Sequence, residues 1–182
     1  MKYYARWVLA AAVVLSLAAS APAAESYSYG DLLGRLTDLE RLAVLPEKGE
    51  TCAQWSSWDR SSRYDVTNKV YVAWSANGDG GYVIRQTNNV QVMAEMDGPG
   101  CLWRIWSAQA WTGRVTICLD GQELPAAALP FMDYFSGTTA PFNYPMLSCN
   151  LDTMCSSGQN LYYPISYQKS CRIEAESKWG QY

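Results

Sequence analysis

Histidine is absent from the 182 residues. Without imidazole, the Ser-His-Asp and Cys-His arrangements cannot be built in their usual form, because both use it to take the nucleophile's proton. Zinc sites with imidazole ligands are excluded as well, and an all-cysteine site would compete with the use of cysteine argued below. The acid-base groups that remain are Asp, Glu, Lys, Tyr and Cys. A basic run is also missing: 14 Lys and Arg are scattered against 17 Asp and Glu. Nucleic acid and anionic membranes both require clustered cations, so a neutral partner is expected instead. No repeat of fixed period and no low-complexity linker interrupts the chain, which reads as one domain after its leader.

The first residues place Lys2 and Arg6 ahead of an apolar run from Trp7 to Ala19. That run falls well short of the roughly 20 residues a membrane-spanning helix needs. Ala21-Pro22-Ala23 follows with the small residues wanted before a cleavage site. Residues 1–23 are therefore expected to be a secretory signal, with a mature chain from Ala24 that is secreted or periplasmic and not held in a membrane. Removing those 23 residues leaves 159 and takes the formal charge from −3 to −5.

All six cysteines, Cys52, Cys101, Cys118, Cys149, Cys155 and Cys171, lie in the mature part. In an oxidising compartment disulfides are the expected use. Cys149 and Cys155 flank a short polar segment that a local bridge could close. Cys101 and Cys118 could equally be small buried residues inside strands.

Asp31 is placed to cap a short helix in which Leu32, Leu33, Leu36, Leu39 and Leu42 recur at helical spacing, weakened by Gly34 and ended by Pro46 and Gly49. Beyond it the pattern changes to short β-like runs: KVYVAWS, YVIRQ, VQVMAEM, CLWRIWSA, VTICLDG, NLYYPISY and SCRIEAES. Turn residues separate them, among them Gly98-Pro99-Gly100, where Pro99 fixes φ and the glycines are free to take positive φ, and Asp120-Gly121, where Asp120 reads as structural. Many strands and little helix predict an all-β antiparallel sandwich or barrel. In CLWRIWSA both faces are largely apolar, which predicts a central, doubly covered strand with Trp103 and Trp106 in the core and a partner needed for Arg104.

Two polar stretches carry the candidate chemistry. In SSWDR, Asp59 can accept two sugar hydroxyls, Arg60 can donate in a fixed fork, Ser56 and Ser57 can fill remaining bonds, and Trp55 or Trp58 can face a sugar ring. Alternatively Asp59 and Arg60 pair with each other or tie down a loop. In ANGDGG, Asn77 and Asp79 suit a sugar, a calcium ion or simply a turn. They are taken as weak substrate contacts, and no metal site is assigned. Glu95 with Asp97, and Glu174 with Glu176, alternate onto common strand faces. Exposed strands commonly carry such carboxylates, and they are read as surface groups.

Four ordered blocks resemble one family: SSWDR, AEMDGPGCLWRIWSA from Ala94, ICLDGQELP from Ile117 followed by FMDYF from Phe131, and LYYPISYQKSCRIEAE from Leu161. ANGDGG matches a subset of it. The chain is similar to the N-terminal part of the domain-of-unknown-function family DUF2961, associated with glycoside hydrolase family 172. The resemblance implies a jelly-roll β-sandwich over residues 24–182. It also implies retaining cleavage of furanosides such as α-fructofuranosides or D-arabinofuranosides without a cofactor, a carbohydrate partner, and assembly into a homo-oligomer. The family's catalytic glutamates lie in a second jelly roll, which corresponds to sequence beyond Tyr182. No position here matches them, so no nucleophile or acid/base residue is carried over. The resemblance places SSWDR near the furanose pocket, which makes Ser56, Ser57, Trp58, Asp59 and Arg60 candidates for substrate positioning. A non-catalytic carbohydrate-binding module is the main rival reading, suggested by seven tryptophans after cleavage. A structural or interaction domain is the third.

Overall fold

The computed structural model describes residues 26–73, 82–151 and 158–182. The segment with Asn77 and Asp79, Cys155 and the whole expected leader lie outside them. The first element among the described residues is helix α1 (Tyr29–Arg35), and Ser28 rather than Asp31 is its cap. The Ser28 hydroxyl accepts from the Asp31 amide, and the Asp31 carboxylate accepts from the Ser28 amide and hydroxyl, so Asp31 completes a capping box from inside the first turn. The helix stops at Arg35, earlier than the leucine spacing predicts. Leu39 and Leu42 lie outside it and are largely exposed.

Among the described residues twelve strands follow: β1 (Arg63–Asp65), β2 (Val70–Val72), β3 (Arg85–Thr87), β4 (Val90–Asp97), β5 (Gly100–Leu102), β6 (Ile105–Ser107), β7 (Arg114–Leu119), β8 (Ala127–Pro130), β9 (Ser148–Asn150), β10 (Gln159–Leu161), β11 (Ile165–Tyr167) and β12 (Ser170–Ala175). Five of them make the largest sheet, in the order β3-β4-β12-β7-β8. The order β6-β10-β9 forms a three-stranded sheet, and β11-β5 and β1-β2 form two-stranded ones. All the pairings described are antiparallel.

Alternation along β7 and β12 explains the core. Val115 and Ile117 point inward from β7, and Cys171, Ile173 and Ala175 from β12. They share one apolar cluster with Leu161 of β10 and Tyr167 of β11, so the large sheet and the smaller sheets close over a common interior. The FMDYF block forms a 3₁₀ turn that plugs this interior, with Phe131, Tyr134 and Phe135 fully buried. The Tyr134 hydroxyl, which burial would otherwise strand, donates to the Val115 carbonyl at 2.8 Å.

At one turn and one strand the structure departs from the sequence pattern. Gly98 and Gly100 do not take positive φ; the Gly98-Pro99 peptide bond is cis. The glycines serve close approach instead: a Cβ on Gly98 would lie 2.7 Å from the Gln168 carbonyl oxygen, and one on Gly100 2.3 Å from the Tyr167 hydroxyl. CLWRIWSA is not one central strand. It breaks at Trp103 and Arg104 into β5 and β6, which pair with different partners. Trp106 is consequently not a core residue: it faces outward and is 42% exposed.

Candidate functional site

The SSWDR segment runs as a loop into β1, held at one end by Ser57. Its amide and its hydroxyl both donate to the Tyr182 carbonyl at 3.0 Å, and the Tyr182 amide donates back to the Ser57 hydroxyl at 3.2 Å. Ser57 is therefore buried and committed to the C-terminal segment. Tyr182 is in turn anchored by its hydroxyl, which donates to the Met93 carbonyl of β4 at 2.7 Å. Burial pushes the Tyr182 phenol up, and the nearby Arg60 guanidinium opposes that rise.

Asp59 and Arg60 do not pair with each other. The Arg60 fork donates to the carbonyls of Trp58 at 3.2 Å and Ser56 at 3.1 Å, and its guanidinium carbon lies 5.2 Å from the centre of the Trp58 ring. Ser56 thus contributes a backbone acceptor to the loop. The planar fork matches two carbonyls at once, which a lysine could not reproduce. Trp58, backed by this cation, remains 48% exposed.

The Asp59 carboxylate accepts from the Ser61 hydroxyl at 2.7 Å and the Ser61 amide at 2.9 Å. These two bonds, the hydroxyl first, hold its carboxyl below the ordinary value, with a smaller contribution from the Tyr82 hydroxyl. Asp59 is thus ionised at neutral pH. A carboxylate has about four acceptor positions, so it retains capacity for ligand hydroxyls after Ser61 is served. The loop therefore presents a flat aromatic face, a fixed anion and a fork that stiffens both. Tyr82 and Tyr182 escape a local reading of the sequence, because each reaches the loop only through tertiary packing.

The carboxylates on the strands have other occupations. Glu95 of β4 forms a bidentate ion pair with Arg85 of β3, and Glu174 pairs with Arg172. The Arg85 hydrogen bonds hold the Glu95 carboxyl below its ordinary value. A general acid requires the opposite shift. Glu95, Asp97 and Arg172 line a shallow polar concavity of about 290 Å³ on this sheet. A second cavity, of about 250 Å³, is lined by Tyr29, Phe142, Tyr163 and Ile165 among others and is largely apolar.

Cys52, Cys101, Cys118, Cys149 and Cys171 carry free thiols among the described residues. The partner expected for Cys149 lies outside them. Also among the described residues, no helix is long and apolar enough to cross a membrane.

The family model for the first β-sandwich domain of glycoside hydrolase family 172 matches residues 48–182, well over half of the chain. No curated protein is similar enough to count as a match. The matched span begins ahead of the SSWDR loop and takes in all twelve strands, the five-stranded sheet and the plugged core. The chain belongs to glycoside hydrolase family 172, and residues 48–182 are its first β-sandwich domain.

Proposed function

We propose that this domain holds the sugar for an exported glycoside hydrolase acting on furanosides, such as α-fructofuranoside or D-arabinofuranoside linkages. The observation that carries the reading is the SSWDR loop, in which Trp58 is exposed, Arg60 backs it and Asp59 keeps free acceptor positions. Trp58 stacks on the ring, Asp59 accepts from sugar hydroxyls, and Ser57 and Arg60 fix the loop. Retaining hydrolysis needs two carboxyl groups roughly 5–5.5 Å apart, one of them protonated. The reading assigns that pair to residues outside the 182 of this chain. Residues 1–23 act as the export signal, residues 24–182 as the sandwich, and copies of the protein associate around the pocket.

The test is furanosidase kinetics of the complete protein with Trp58→Ala and Asp59→Ala. Each is expected to raise KM roughly tenfold, equivalent to about 1.4 kcal/mol, with a smaller effect on kcat. Unchanged kinetics on a substrate that the parent cleaves would reject the positioning role. The exposed Trp58 ring serves equally a second reading, a carbohydrate-binding module without turnover. That reading gains if the complete protein binds a furanoside saturably and Trp58→Ala abolishes binding while no product forms.

A further inference from the structure

The outward face of the β6-β10 pair gathers groups that the SSWDR loop does not use. Trp106 of β6 lies directly opposite Asn160 of β10. Arg104, two residues before Trp106, and Tyr162, two after Asn160, extend the same face. Arg104 Nη2 donates to Asn160 Oδ1 at 2.7 Å, and the guanidinium carbon lies 5.4 Å from the centre of the Tyr162 ring. Asn160 is 7% exposed beneath this cover, whereas Trp106 is 42% and Tyr162 36% exposed.

Gly158 completes the arrangement. A Cβ at that position would lie 3.6 Å from both Trp106 Nε1 and Asn160 Nδ2, so both N–H groups border the space that a side chain there would take. Neither meets an acceptor among the described residues. Asn160 Oδ1 accepts from Arg104 and, at 3.5 Å, from the Tyr162 hydroxyl, which leaves its amide nitrogen beside Gly158. Arg104 forms no ion pair with a carboxylate among the described residues; the pairs there are Arg85–Glu95 and Arg172–Glu174. The face thus combines an exposed indole, three kinds of N–H donor and an exposed guanidinium that has no carboxylate partner among the described residues.

A neutral sugar hydroxyl would be served by the two N–H groups alone, and the charge would find no counterpart. A carboxylate attached to a ring satisfies all of them: its oxygens accept from Trp106 Nε1, Asn160 Nδ2 and the Arg104 fork, and its ring covers the indole. We propose that this face is a second binding site, separate from the SSWDR loop, for a carboxylate-bearing sugar residue of the uronate type.

The experiment titrates the complete exported protein with a uronic-acid oligosaccharide and with its methyl ester, following Trp fluorescence and calorimetric heat. The acid is expected to bind at least tenfold more tightly than the ester. Arg104→Gln should remove that preference, and Gly158→Ala, which places a methyl beside both N–H groups, should weaken the acid severalfold. Trp58→Ala should leave acid binding unchanged, so failure of the furanoside reading and failure of this one are distinguishable. Equal affinity for acid and ester, no saturable binding of the acid, or an acid preference that survives Arg104→Gln would each overturn the proposal. Circular dichroism and thermal melting of both variants establish that any loss is not unfolding.

Discussion

Cys171 on β12 is 1% exposed, and this enclosure disfavours its thiolate, pushing the thiol up to about 12. Cys101 on β5 is pushed up to about 11 by the same cause, whereas Cys52 is exposed. Because reactivity follows the thiolate, an aromatic disulfide reagent at pH 8 should label Cys52 at least a hundredfold faster than Cys171. Cys171 should react only as the protein unfolds. Comparable rates for the two, measured by labelling and peptide mapping, would contradict the buried placement. The sequence leaves cysteine open between disulfide and small core residue, since spacing says nothing about which face of a strand is covered. At Cys171 the decision comes from the inward register of β12 against β4 and β7.

At the scale of elements, the turn after β7 shows a local signal acquiring a distant task. Asp120 and Gly121 both take positive φ, and the Gln122 amide donates to the Leu119 carbonyl, as Asp-Gly predicts. The Asp120 carboxylate, however, accepts from the amides of Gln168, Lys169 and Ser170, clamping the turn between β11 and β12. Those bonds, the Lys169 amide first, lower its pKa below the ordinary 3.8. A folded pKa below the unfolded one means that the carboxylate's contribution is fully present above the unfolded value and is lost as pH falls through the folded value. Asp120→Asn should therefore unfold at lower urea than the parent at pH 7, and the gap should narrow as pH is taken below about 3.8. A gap of constant size across that range would show that the clamp is not electrostatic. The structural role of Asp120 is legible from the turn; the three amides, 48 to 50 residues away, are not.

Across the whole molecule, stability rests on a core shared between layers. Ile117 is completely buried on β7 and belongs to one cluster with Leu161, Phe131 and Tyr167 from other elements. Ile117→Ala should cost about 2–5 kcal/mol, because the surrounding sheets cannot both collapse into the space it leaves. Val90→Ala, on the 40% exposed start of β4, should cost under about 0.5 kcal/mol. Denaturant midpoints measure both. A small loss at Ile117, or separate transitions for the sheets, would rule out a single cooperative interior.

The amino-acid sequence by itself determined the β-rich class, the alternating strands β4, β7 and β12, and the turn at Asp120-Gly121, because alternation and turn chemistry act between near neighbours. Its ordered blocks also pointed to the family that the domain match then showed. Tertiary structure alone decided that Ser57 would be tied to Tyr182, 125 residues away, and that Trp106 would face outward while Asn160 was covered beside it. The physical reason is common to both. An apolar strand reads alike at the centre and at the rim of a sheet, and only the long-range pairing of β6 with β10 settles which of its faces meets the core.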